Sequence, residues 1–291
     1  MVSNVSDDII LQILALAPAQ SVRSIAPVSK NWARVACIDR ERAVHVEVAR
    51  LLNLGLQVPN SLCKTCPHIV LSTLILSNHT LPSHSFEDCE ALESIVLPEN
   101  LLYIGFSTFK NCSNLTFIRL PDTLIYIGSY AFSNCSSLTL IDLPDNIVTI
   151  PPFAFENCSA LKFLKFPTKL VSIEDVAFGN CATLTLIDLP DTLVNIDHRA
   201  FHHCLALTSI YLPNSVEKIG SYAFRDCTAI TSIELSDTLK YIEEGAFHNC
   251  LALTSIHIPD SILSVGNYIF RRCSALTSIY IPGAFSTEHL W

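Results

Sequence analysis

Nine cysteines recur at one fixed interval without a slip: Cys89, Cys112, Cys135, Cys158, Cys181, Cys204, Cys227, Cys250 and Cys273. A phenylalanine precedes each by three positions, from Phe86 to Phe270. A fixed period of roughly 20–30 residues describes a solenoid, in which each unit buries its apolar side against its neighbours rather than against itself. Half of the 291 residues are apolar and 15% are charged, which is enough to fill a continuous core along such an array.

The positions inside the unit define its path. Three places after the cysteine comes Leu or Ile, from Leu92 to Leu276. Six after comes Ile95, Ile118, Ile141, Leu164 and so on to Ile279. The position eight after is again apolar, and a proline follows it in every copy except at Ser236. Alternation at six and eight predicts a short strand with those side chains inward. Pro-Asp or Pro-Asn then turns the chain, and a second apolar pair such as Val216 and Ile219 makes the return side. The Ala-Phe step, as at Ala200-Phe201, predicts a helical turn before the next cysteine. Strands stacked at about 4.8 Å would give nine units a length of roughly 45 Å.

The pattern Ala-Phe-x-x-Cys-x-x-Leu-x-x-Ile-x-Ile/Leu-Pro over residues 86–285 resembles the BspA-like leucine-rich repeats. That resemblance implies an α+β repeat protein: a right-handed leucine-rich-repeat solenoid of about nine 23-residue coils behind a small N-terminal helical domain. Leu71 to Leu76, with Leu81 and Phe86, reads as a shortened first repeat. The array stops at Gly283-Ala284-Phe285 with a polar tail and no dedicated cap. The expected division is residues 1–60 for the helical part and 61–291 for the solenoid.

Ahead of the repeats, Ser6-Asp7-Asp8 predicts a helix start, since a capping serine and early acids satisfy free amides. Pro18 and Pro27 end two short helices. A third carries Trp32 and Val35, and Asp39 to Leu52 is amphipathic. Residues 57–60 read as a linker. Asp7 to Leu14 and Val28-Ser29-Lys30-Asn31-Trp32-Ala33-Arg34 resemble the F-box motif, although Val5-Ser6 stand where that family has Leu-Pro. The resemblance implies an adaptor contact of an SCF-type ubiquitin ligase through Ile9, Ile10, Ile13, Leu14, Val28 and Trp32. The plain alternative is a helical cap over the first coil.

Charge narrows the function. Residues 61–291 hold 12 Lys/Arg against 22 Asp/Glu, an acidic surface that argues against phosphate-backbone binding. No apolar run approaches the roughly 18 residues needed to span a bilayer, and no basic leader precedes Ile9 to Ala17. A cytoplasmic or nuclear location is the expectation, with the cysteine ladder as reduced core packing. Cys63-Lys64-Thr65-Cys66 with His68 lacks the second pair that a closed zinc site needs. His198, His202 and His203 read as surface residues. No nucleophile–base pair, phosphate loop or paired acids converge, so neither enzyme activity nor a cofactor is expected.

Function is expected at the positions packing leaves free, five and seven after each cysteine. Phe117, Leu140, Phe163 and Leu186 form an apolar column, rimmed by Arg119, Asp142, Lys165 and Asp188 and followed by Tyr211. Four exposed large apolar residues in a row mark a protein-binding surface. A substrate receptor of an SCF-type ligase is the leading reading. A surface or secreted adhesion protein, with Asn-x-Ser/Thr sequons at Asn4, Asn78, Asn111, Asn114, Asn134 and Asn157, and an intracellular repeat scaffold are the alternatives.

Overall fold

The computed structural model describes residues 43–71, 79–283, 285 and 289–291. The segment carrying the F-box resemblance, residues 7–34, lies outside them. The described chain is a β-solenoid of parallel sheets. Each coil runs through a three-residue front strand, a proline turn, a two-residue return strand and a turn-rich segment that leads to the next front strand.

Register follows the period. Ile95 lies beside Ile118, and Ile141 beside Leu164, each pair one period apart and parallel. On the return side Ile104 lies beside Ile127, and Ile196 beside Ile219. Parallel strands need a long crossover, and the rest of the coil supplies it. The Pro98 and Pro121 carbonyls accept the N–H groups of Leu101 and Leu124, closing tight turns. Ser236, where proline is missing, keeps the turn through its carbonyl to Leu239 N and through a 3.1 Å bond from Thr238 N to its Oγ.

The core is a set of columns. The phenylalanines stack from Phe86 to Phe270 with centroids 5.2 to 6.1 Å apart and planes within 15° of parallel. Removing one such ring from a packed interior costs about 3–5 kcal/mol. The cysteines are buried thiols. From Cys112 onward each donates across coils to a phenylalanine carbonyl, Cys112 to Phe86 at 3.1 Å and Cys158 to Phe132 at 3.2 Å.

Three expectations change. The segment before each cysteine is a pair of overlapping turns, not a helical turn. It carries two residues of positive φ, such as Tyr130 at 60° and Asn134 at 61°, and helix cannot propagate through them. The first coil is longer than the others, not shorter. Its strand, His68–Val70, pairs with Ser94–Val96 at an offset of 26, which sets Cys63 rather than Cys66 in line with Cys89. The C-terminal end is closed as well. Tyr268 N and Phe270 N donate to the carbonyls of His289 and Leu290, and Trp291 covers Phe270 at 6.3 Å.

At the other end, helical residues 43–53 and the helix Asn60–Thr65 close the first coil. Val48, Leu52 and Val58 are buried in the common core. The stretch read as a linker is tied down, with Val58 N donating to Ser85 O and Gln57 Nε2 to Glu87 O, both at 2.6 Å. Among the described residues no helix is long and apolar enough to cross a membrane.

Candidate functional site: the front sheet face

The pleat turns the sixth position inward and the fifth and seventh outward. Ile118 and Ile141 are buried, while Phe117, Phe163, Leu186 and Tyr211 are 51%, 65%, 64% and 60% exposed. Leu140 is half-buried in the column between Phe117 and Phe163. Front strands Phe117–Arg119, Leu140–Asp142 and Phe163–Lys165 thus place one apolar and one charged side chain per coil on a common face. Phe117, Arg119, Leu140, Asp142, Asp145 and Lys165 line a cleft of about 270 Å³.

The rim is electrostatically uncommitted. Arg119, Asp142, Lys165 and Asp188 are exposed, and none of them forms a salt bridge among the described residues. At the cleft edge, the Thr168 N–H donates to Asp145 at 3.0 Å and holds that carboxyl below its ordinary range, with Lys165 and Lys169 adding to the effect. The face is not a continuous sheet. Five strands end at Phe163–Lys165, and the next hydrogen-bonded pair is Ser209–Tyr211 with Ser232–Glu234. Leu186 and Asp188 lie in the interval. Beside it, Phe166 fills a position that is leucine in most coils, its ring edge against Phe178 at 5.6 Å.

The other candidates disperse. Cys63 is buried in the ladder next to Cys89, whose thiol is pushed up by that neighbour and by burial. The Cys66 thiol donates instead to the His68 carbonyl at 3.0 Å. The described residues bring together no group of three or more His, Cys, Asp or Glu able to hold a metal ion. His198, His202 and His203 each meet a different partner: the Tyr222 ring, the Arg199 carbonyl and the Asp226 carboxylate. Burial lowers the His202 pKa.

Two features escape a reading by motif. Asn111, Asn134, Asn157 and Asn180 form a ladder, each Nδ2 donating to the side-chain oxygen one coil back at 2.7 to 2.9 Å, down to Asp88. Three of the sequon asparagines are therefore rungs of a polar column. On the return side, Ile125, Val148 and Val171 are exposed in line, at the same place in successive coils. Both columns are visible in the sequence once it is written out at its period.

The sequence matches the family described as BspA type Leucine rich repeat region over residues 79–208 and 194–288. A leucine-rich repeat protein from Bacteroides ovatus is similar in structure. It has 25% identity, covers 76% of this chain and 74% of its own, and gives a TM-score of 0.52. A leucine-rich repeat protein of T. pallidum shares 28% identity over 68% of this chain and 82% of its own, with a TM-score of 0.53. No curated protein matches the chain.

Proposed function

The chain belongs to the BspA-type leucine-rich-repeat family, and from that premise we propose that it is a non-catalytic module that captures a protein partner on its front sheet face. The carrying observation is the column Phe117, Leu140, Phe163 and Leu186, which leaves three large side chains more than half exposed beside unpaired alternating charges. Burying a side chain of this size against a partner contributes about 1.5–3 kcal/mol. Specificity comes from the charged rim, because an unmatched charge there costs desolvation. The test is affinity capture with the full chain against a Phe117→Ser/Phe163→Ser variant whose circular dichroism is unchanged. Loss of the bound partner supports the reading, and equal capture by the folded variant overturns it.

A finer form, substrate receptor of an SCF-type ubiquitin ligase, draws on the F-box resemblance of Asp7 to Leu14 and Val28 to Arg34. Purified adaptor should bind the intact chain and not an Ile9→Asp/Leu14→Asp variant. Absence of adaptor binding to the wild type removes the ligase assignment while leaving the repeat face as the capture surface.

A further inference from the structure

The charges along the front face read the same when the coil order is reversed and the signs are exchanged. From Arg119 through Asp142 and Lys165 to Asp188 they run plus, minus, plus, minus, one per coil. The apolar column beside them runs Phe117, Leu140, Phe163, Leu186. We infer that the occupant of this face is a second copy of the same chain, docked face to face about a two-fold axis that lies along the strands between the coils of Leu140 and Phe163. The inference rests on reading this face as a docking surface.

Such an axis reverses the order of coils and keeps each column opposite itself. Arg119 then meets Asp188 of the other copy, and Asp142 meets Lys165, so the four rungs supply four ion pairs by symmetry. Phe117 meets Leu186, and Leu140 meets Phe163. Each rung therefore pairs a large ring with a smaller aliphatic, which suits interdigitation of sheets about 10 Å apart. One coil further out, Val96 meets Tyr211, two exposed apolar residues at 47% and 60%. Their column neighbours, Ser94 and Ser209, are small. A single patch that complements itself is the requirement of an isologous dimer.

Competing arrangements fail on the same residues. Sliding one copy by one coil sets Arg119 against Lys165 and Asp142 against Asp142, or Asp142 against Asp188 and Lys165 against Lys165. Like charges face each other in both cases, which specifies against those registers. A two-fold axis along the solenoid would set each apolar column against the charged one and desolvate the charges without partners. Face-to-face contact over six coils covers about 24 Å of solenoid at the strand spacing. That modest footprint predicts a weak, reversible dimer with a dissociation constant on the order of micromolar.

Sedimentation equilibrium of the full chain over a range of concentrations tests the inference. The wild type should dimerise reversibly. Arg119→Glu and Asp188→Arg should each weaken association by about tenfold or more, and the two together should restore it, because the reversed charges again meet across the axis. Within one copy these residues are three coils, about 14 Å, apart, too far for direct pairing to produce the rescue. Phe163→Ser should leave a folded monomer. A wild type monomeric at every concentration overturns the inference. So does a dimer indifferent to Phe163→Ser, or charge reversals without rescue. If the chain is monomeric yet its Phe117→Ser/Phe163→Ser variant loses a captured partner, only self-docking fails. If capture is also unaffected, the docking reading of the face fails with it.

Discussion

The thiol of Cys135 donates to the carbonyl oxygen of Phe109 at 3.2 Å, and that oxygen also accepts the backbone N–H of Cys112 at 3.1 Å. One inward carbonyl thus joins its own turn to the next coil, and the contact recurs up to Cys273 on Phe247. The cysteine is chosen as a small buried group that still donates. Cys135→Ala removes that donor and leaves a void. The expected loss is about 2 kcal/mol, read as a lower urea midpoint. A midpoint unchanged from wild type would show that neither the bond nor the packing of the thiol stabilises the coil.

The same burial makes stability fall in alkali. Burial pushes up the thiols inside the array, from Cys112 through Cys227, Cys158 to about 12, against about 8.5 for an unfolded cysteine. Above that lower value the unfolded chain sheds protons that the folded chain retains. The contribution of each neutral thiol is therefore complete below pH of about 8.5 and is lost as pH climbs toward the folded value. Each such rung lowers the unfolding free energy by up to about 1.4 kcal/mol per pH unit in that window. Urea midpoints should hold level up to pH of about 8 and drop steeply from pH of about 9 upward. A profile flat to pH of about 11 would contradict burial of the ladder.

The asparagine before Cys112, Cys135, Cys158 and Cys181 serves two purposes. Asn157 sits at φ 60°, donates to Asn134 at 2.7 Å and accepts from Asn180 at 2.9 Å. Asn157→Gly keeps the left-handed backbone at no steric cost and loses only the side-chain bonds. Asn157→Ala loses the bonds and adds about 1 kcal/mol or more for a Cβ in that region. Alanine should therefore be the more damaging substitution by chemical denaturation. The reverse order would mean that chain entropy outweighs backbone strain at this turn.

Periodic positions were legible because a solenoid gives every coil the same surroundings. Phe, Cys, Leu and Ile at fixed offsets therefore announce the core. The front-face columns followed by subtraction. The left-handed turns were hidden, because Tyr130, Phe153 and Val176 adopt positive φ against their own preferences. Their N–H groups are drawn along the solenoid to the Pro152, Asp175 and His198 carbonyls of the following coil, an interaction absent from any local window. The first coil misled for a related reason. Cys66 keeps the phase of the array, but strand pairing aligns Cys63, and only the register between coils decides between them.

The front sheet breaks between Ser232–Glu234 and Ser255–His257 and, earlier, beside Phe166, which is 6% exposed where Leu120, Leu143, Leu189 and Leu212 stand in other coils. Its ring packs edge-on against Phe178, with planes at 83°, and the expectation is that this larger side chain keeps the next coil out of ladder register. Leu186 and Asp188 belong to that coil, so the proposed docking face crosses a seam where no strand pairing is formed. Phe166→Leu should let residues 186–188 pair with Phe163–Lys165 and extend the five-stranded sheet. Hydrogen exchange at Leu186 and Asp188 should then slow by about tenfold, toward the rate at Leu140 and Asp142. Because the substitution gives up ring contacts while gaining a ladder, its net effect on stability should stay within about 1.5 kcal/mol. Exchange that stays fast in the folded variant would place the cause of the seam in the 186–188 coil itself, and not in Phe166.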